Sequence, residues 1–261
     1  MKNLSPTSST VNLSPEITVL TVSHGHGSLL IDLLESLETD SDNSLEWLCL
    51  LNIPEDDPIY DRLTRSQIQT QILENDYPRG LAANLNTLLN KTRSKSFLIV
   101  NPDVILPQGT LRNCHEYMID SQADLITCPS LDFQGLPLVN IRYFPTPASL
   151  FKERILKKDR RLKDQEKILR GQESLPFWFQ GSFLMGKTQP AKKIGFNEAY
   201  PLYFEDVEFC WNYWKKGLKL SICQNAQFKH LFMRKSSRLF SREMLLHCIS
   251  AWRYFSYPRQ I

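Results

Sequence analysis

Residues 17–38 read ITVLTVSHGHGSLLIDLLESLE. The opening ITVLTVS is apolar and rich in β-branched residues, the pattern of a short buried strand. HGHG at 24–27 is a polar turn. After it Leu30, Leu33, Leu34 and Leu37 fall on one helical face, with Asp32, Glu35 and Glu38 off it. Ser28 stands where an N-cap belongs. The chain therefore begins strand, turn, helix.

The unit recurs along the first half. EWLCLL (46–51), IQTQIL (68–73), FLIV (97–100) and ADLITC (123–128) are strand-like. GLAANLNTLLNK (80–91) and a stretch near 109–120 are helix-like. Strands alternating with helices predict an α/β fold with a mostly parallel central sheet and helices on both faces. Ligands of such sheets bind beyond the carboxyl ends of the strands. SHGH (23–26), NIPEDD (52–57) and NPD (101–103) fall at those ends and are expected to line one crevice.

The second half is different. KERILKKDRRLKDQEKILR (152–170) carries nine basic and four acidic residues, which suits a solvated helix laced with ion pairs or a basic lip facing an anion. FWFQGSFLMG (177–186) is apolar around Gly181. YFEDVEFCWNYWKKG (203–217) predicts a helix with acids in its first turn and Lys215, Lys216 and Gly217 at its end. KLSIC and AQFKH after it are short strand candidates. The last 25 residues predict one amphipathic helix, with Leu245, Leu246, Ile249, Trp252 and Phe255 on a stripe and Arg238, Arg242 and Arg253 off it. Residues 1–15, rich in Ser, Thr, Asn and Pro, read as a flexible tail. The expected division is 1–15 tail, 16–235 one domain, and 236–261 a C-terminal helix suited to a membrane surface.

Composition narrows the function classes. With 261 residues, 42% hydrophobic, the chain has ample material for a core. A net charge of +3 is too mild to argue for nucleic acid. The six cysteines include no CxxC pair and follow no signal peptide, so a reduced, cytosolic chain is expected. No apolar run approaches the roughly 18 to 20 residues that span a bilayer. There is no Walker loop, no GxGxxG and no GxSxG nucleophile elbow.

Three places carry candidate chemistry. Asp103 ends the strand FLIV behind Asn101 and Pro102, and a carboxylate fixed there suits Mg²⁺ or Mn²⁺; it equally suits a turn before a helix. Glu205 and Asp206 at a helix start favour the macrodipole, or supply a general base. His230 closes a short strand and is structural, or completes a metal site with Asp103. His24 and His26 have metal-like spacing, but Gly25 between them favours a turn that admits a flat base.

Taken in order, ITVLTVSHGH, NDYPRGLAANLN, FLIVNPDVIL, WFQGSFLMGK, IGFNEAYPLYFEDVEFCWNYWKKGLKL and FKH with RKSSR resemble a family 2 glycosyltransferase. The likeness spans about residues 16–238 and is greatest to bacterial rhamnosyltransferases of O-antigen type. It implies a GT-A fold, Rossmann-like, whose donor half runs over about 16–130 and acceptor half over about 131–235. It implies inverting transfer of one sugar, with rhamnose from dTDP-rhamnose favoured; UDP-hexose and UDP-galactofuranose stay open. It implies a lipid-diphosphate-linked saccharide as acceptor, on the cytosolic face of the inner membrane. By the same likeness the donor meets Ser23, His24, Asn52, Gly80, Asn84, Asn86, Asn101 and Asp103. A metal, Mg²⁺ or Mn²⁺, meets Asp103 and His230. The acceptor meets Trp178, Gly181 and Ser182, and catalysis falls to Asp206 with Glu205. Leu51 stands where the family carries an aspartate, which keeps a non-catalytic nucleotide-sugar-binding protein as the alternative. A pyrophosphorylase would need a basic loop after the first strand, which SHGHGS lacks. WNYWKKG is not the QxxRW of processive synthases, so one sugar per encounter is expected.

Overall fold

The computed structural model describes residues 3–4, 15–40, 45–154, 160–172, 175–231 and 242–256. In chain order the strands are β1 (Asn3–Leu4), β2 (Ile17–Ser23), β3 (Leu45–Leu51), β4 (Gln69–Glu74), β5 (Ser96–Val100), β6 (Val104–Ile105), β7 (Leu125–Thr127), β8 (Ser130–Leu131), β9 (Pro137–Leu138), β10 (Ile141–Tyr143), β11 (Phe177–Phe179), β12 (Phe183–Lys187), β13 (Leu220–Ile222) and β14 (Phe228–His230). The helices are α1 (Ser28–Asp40), α2 (Asp57–Thr64), α3 (Leu81–Lys91), α4 (Thr110–Asp120), α5 (Pro147–Arg154), α6 (Arg161–Leu169), α7 (Thr188–Ile194), α8 (Glu205–Lys215) and α9 (Arg242–Ser256).

Eight strands form the main sheet in the order β1-β4-β3-β2-β5-β12-β7-β13. β2 lies parallel to β3 and β5, β3 to β4, and β7 to β13. β12 runs antiparallel to both β5 and β7. Alternation along the strands feeds two cores. Val19, Trp47, Cys49, Leu98 and Val100 join α1, α2 and α4 on one face. Leu20, Leu48, Leu50, Phe97 and Ile99 join α3 and α8 on the other. Both faces are buried, so these strands read as apolar runs rather than polar alternations.

β12 sits so close to its neighbours that its fourth residue has no room for a side chain. A Cβ at Gly186 would lie 2.9 Å from the Asp124 carbonyl oxygen and 3.0 Å from side-chain carbons of both Leu125 and Phe97. Gly186→Ala is therefore expected to cost about 1 to 3 kcal/mol through overpacking. At roughly 2 to 4 °C per kcal/mol for a domain of this size, thermal melting should show a clear drop.

A four-stranded sheet, β6-β14-β8-β9, and the hairpin-like pair β10-β11 flank the carboxyl side. The sequence reading did not anticipate α2, α7 or the reversed direction of β12. It expected a flexible tail over 1–15; Asn3 and Leu4 instead pair antiparallel with Leu73 and Ile72 on the sheet edge. The other residues before 15 lie outside the described residues, as do 155–159, 236–241, which include Arg238, and 257–261. The basic stretch 152–170 is two helices, α5 ending at Arg154 and α6. α6 is pinned by the buried Gln165, whose amide oxygen accepts the N–H groups of Asn140 and Ile141 at 3.0 Å each.

Of the apolar stripe expected on α9, Phe255 packs against the core and the rest is largely turned outward. Ser250 and Tyr254 face the domain and are buried, whereas Leu245, Ile249 and Trp252 are 61, 44 and 72% exposed. The inward face is chosen by contacts a hydrophobicity pattern cannot weigh. Ser250 Oγ donates to the Leu202 carbonyl at 2.7 Å, and an Arg253 guanidinium N–H donates to the Ala199 carbonyl at 2.6 Å.

Candidate active site

The start of α8 is the most constrained point of the fold. Tyr203 and Phe204 both adopt the left-handed region, at φ 68° and 69°. Such residues cost about 1 to 3 kcal/mol each and persist where the surroundings over-determine them. Here α9 does so. Besides its bonds to the 199–202 backbone, His247 packs on Tyr203 and Phe204 at 5.4 and 5.2 Å, and Tyr254 on Phe204 at 5.2 Å. The turn aims Glu205 and Asp206 into a cavity of about 210 Å³ at the carboxyl edge of the sheet.

Asp206 is held by two backbone N–H groups. Its Oδ2 accepts the Gly181 N–H at 2.9 Å, and its Oδ1 the Val207 N–H at 2.8 Å. Burial raises its pKa, while those N–H bonds and the charge of Arg142 oppose the rise. Glu205 has less support. Its Oε2 is buried without a partner. Burial, then the charge of Asp206, pushes its carboxyl up to about 8. Burial thus favours a proton on the pair, and the N–H bonds that support Asp206 leave Glu205 the better place for it.

Asn101, Gly181 and Ser182 line the same cavity. The Asn101 N–H donates to the Ser182 carbonyl at 3.1 Å, which ties the end of β5 to the turn before β12. Two residues on, Asp103 faces His230. Pairing of β6 with β14 sets His230 opposite Val104, and the Leu231 N–H donates to the Asp103 carbonyl at 3.0 Å. His230 Nε2 lies 3.1 Å from Asp103 Oδ1, with the side chains 5 and 15% exposed. Burial works to raise the Asp103 pKa; the hydrogen bond and charge of His230, with a smaller contribution from His26, outweigh it and hold the carboxyl below its usual range.

Among the described residues no group of three His, Cys, Asp or Glu side chains is arranged to hold a metal ion. A carboxylate and an imidazole set 3.1 Å apart nevertheless fit two positions of a hard divalent cation, which normally shares its remaining positions with water and substrate oxygens.

The segments after β2 and β3 carry a hydrogen-bonded cluster of their own, outside the residues that line this cavity. Ser23 Oγ donates to Glu55, which also accepts the N–H groups of His26 at 3.1 Å and Gly27 at 3.0 Å. His26 Nδ1 accepts the His24 N–H at 2.9 Å. Asn52 Nδ2 donates to the Arg79 carbonyl at 3.0 Å and lies 3.0 Å from His24 Nδ1. Its Oδ1 accepts from Arg79 N–H and from Asn75, both at 2.8 Å. A buried asparagine network therefore fixes the loop that leads to Gly80 and α3.

Several expected contacts have other work in the structure. Asn84 is fully buried and bonds Asn75 and the Arg79 carbonyl. Asn86 bonds the Phe196 backbone through both ends of its amide, on the flank of α3. Helical spacing turns these two away from the cavity. Trp178 is only 8% exposed, with its indole N–H on the Tyr143 carbonyl and the Arg142 guanidinium 5.6 Å above its ring. It is a support for Arg142 rather than an open stacking face. Glu55, Asn75 and Arg142 were not singled out from sequence; Glu55 lies in the NIPEDD segment placed at the crevice, but nothing marked it as the residue that holds the histidine turn.

No protein-family model matches the chain. The rhamnosyltransferase WbbL of Escherichia coli K12 is 23% identical over 257 residues, covering 93% of this chain and 94% of that protein. The low-salt glycan biosynthesis hexosyltransferase Agl10 of Haloferax volcanii is 24% identical over 161 residues, 59% of this chain and 48% of its own length. Among solved structures, the mannosyltransferase PcManGT from Pyrobaculum calidifontis, in complex with GDP-Man and Mn²⁺, has a TM-score of 0.66 at 15% identity and covers 95% of this chain. GalNAc-T7 with UDP, GalNAc and Mn²⁺ has a TM-score of 0.61 at 12% identity and covers 83% of this chain. The chain spans 66 and 44% of those two longer chains. The chain is thus similar to a rhamnosyltransferase along nearly its whole length, and the architecture it shares with the solved glycosyltransferases is the GT-A fold.

Proposed function

We propose that the chain is an inverting hexosyltransferase that moves one sugar, rhamnose from dTDP-rhamnose, onto a hydroxyl of a lipid-diphosphate-linked saccharide in surface-glycan (O-antigen) synthesis. The observation that carries this is Asp206. It is a carboxyl held by a backbone N–H at the rim of a sugar-sized cavity, joined through Asn101 to the Asp103–His230 pair.

Asp206 takes the proton from the attacking hydroxyl. Attack comes from the face opposite the diphosphate, so the anomeric configuration inverts. Ser23, His24 and the backbone fixed by Asn52 receive the base and ribose, and Gly80 leaves room beside them. Asp103 and His230 would hold Mg²⁺ or Mn²⁺, which neutralises the charge of a departing diphosphate. The 23% identity to a rhamnosyltransferase supports the donor. The exposed Leu245, Ile249 and Trp252 on α9 support peripheral contact with the cytosolic face of the inner membrane. Among the described residues no helix is long and apolar enough to cross a membrane.

The test is a donor screen. Purified protein is incubated with Mn²⁺ or Mg²⁺, a lipid-diphosphate GlcNAc acceptor, and dTDP-rhamnose, UDP-glucose, UDP-galactofuranose or GDP-mannose in turn. Released nucleoside diphosphate and product mass are read. dTDP-rhamnose should turn over, and Asp103→Ala should reduce the rate by about 10²-fold or more. Turnover of a hexose donor instead would keep the reaction and replace the sugar.

A further inference from the structure

The cavity contains two polar atoms that the protein itself leaves unsatisfied. Ser182 Oγ and Glu205 Oε2 both lack a hydrogen-bond partner, in side chains whose residues are 1 and 6% exposed. Folded proteins seldom leave such groups unpaired without a use for them. Both come from segments held in place by other bonds: Ser182 through its carbonyl to Asn101, Glu205 through the strained turn under α9. The rest of the cavity has the opposite character, with Leu20, Leu85, Ile99, Leu184 and Phe196 in its wall. None of the described residues lining it is Lys, Arg or His.

We propose that Ser182 Oγ and the Glu205 carboxyl together form the hydrogen-bonding end of a subsite for the transferred sugar, and that this subsite accepts an uncharged ring with one apolar edge. The proposal rests on the reading of the chain as a nucleotide-sugar transferase. Glu205 donates its proton to a ring hydroxyl, and Ser182 donates to or accepts from a neighbouring one. The transferred sugar is the occupant, rather than the acceptor. The Ser182 backbone is bonded to Asn101, two residues before the aspartate that faces the diphosphate, so a sugar on that diphosphate reaches Ser182 first. A hydroxyl turned toward Leu85 or Phe196 would find no partner, which favours a ring carrying hydrogen or methyl there. A uronate would bring a second anion beside Asp206 with no cation in the wall to meet it.

Binding calorimetry on the full chain tests this. dTDP-rhamnose, GDP-mannose and UDP-glucose are each titrated beside their own nucleoside diphosphate, with wild type, Ser182→Ala, Glu205→Ala and Glu205→Gln. The quantity read is the ratio of the two dissociation constants, which isolates the sugar. The ratio should move against the sugar by about 10-fold in Ser182→Ala and in Glu205→Ala, while the nucleoside diphosphate alone binds as to wild type. Glu205→Gln keeps a donor at the same place and should recover most of the loss. Unchanged ratios in both alanine variants would overturn the subsite. UDP-glucuronate should bind at least about 10-fold more weakly than UDP-glucose; equal binding would overturn the requirement for an uncharged ring. If wild type binds none of the nucleoside diphosphates, the transferase reading falls, and this inference with it.

Discussion

Asp206→Asn should abolish most turnover while leaving the protein folded and its nucleotide bound. The asparagine keeps the shape of the side chain and an oxygen for the Gly181 N–H now bonded at 2.9 Å. It cannot take a proton from an attacking hydroxyl. Loss of a positioned general base is worth about 10²- to 10⁴-fold, and the whole of it should fall on kcat. Binding of nucleoside diphosphate should stay within about 2-fold, since that part of the donor is expected at Asp103, His230 and the ends of β2 and β3. The amide nitrogen cannot accept the Val207 N–H, so one backbone bond is lost, while a buried charge beside Glu205 is removed; the two effects oppose, and the melting temperature should move little. A variant that retains wild-type kcat would remove Asp206 from the chemistry. One that loses nucleotide binding and melting temperature together would make it a structural residue instead.

The second large effect is on stability against pH, and it belongs to Glu205. Its pKa is raised from the ordinary 4.5 to about 8 by burial and the neighbouring Asp206 charge. The folded state therefore binds a proton that the unfolded chain releases above about 4.5. Stability from this group is fully present below that pH and is lost as pH rises toward about 8. With each pKa unit worth about 1.4 kcal/mol, the loss between pH 5 and pH 8 is on the order of 2 to 4 kcal/mol. Glu205→Gln stays neutral throughout. Melting temperatures of wild type and variant, measured from pH 5 to 8, should therefore diverge, with the variant gaining on wild type as pH rises. Parallel curves would mean that Glu205 is already ionised in the fold.

The parallel half of the fold was legible from sequence because burial on both faces writes itself as apolar runs. ITVLTVS and FLIV could hardly be anything else, and their carboxyl ends marked the crevice before any coordinates did. Asp103, Asp206 and His230 were singled out through their likeness to a family; the structure pairs Asp103 with His230 and sets Asp206 at the cavity. Three things were not. β12 reads as apolar in either direction, so nothing in FLMGK tells that it runs against β5. Asn84 and Asn86 share a motif with ligand-facing positions, yet the helix phase of α3 sends their amides to the Arg79 and Phe196 backbones. The positive φ at Tyr203 and Phe204 has no signature at all, because neither residue favours that conformation; α9, some 40 residues later, packs on both.

The reversed strand also governs how the chain can assemble. Among the described residues β12 alone links β5 and β7 in the main sheet, and it is encoded more than 50 residues after β7. Until residues 183–187 leave the ribosome, β5 and β7 must wait with open, apolar edges facing each other across a gap one strand wide. A nascent chain stopped at residue 130 would hold β2 to β5 and β7 but could not close the sheet. Such contacts, distant in sequence, slow folding and prolong exposure to other chains. A gene fragment ending there should yield aggregates rather than a half-enzyme, and the full chain should depend on chaperones during synthesis more than its modest size suggests.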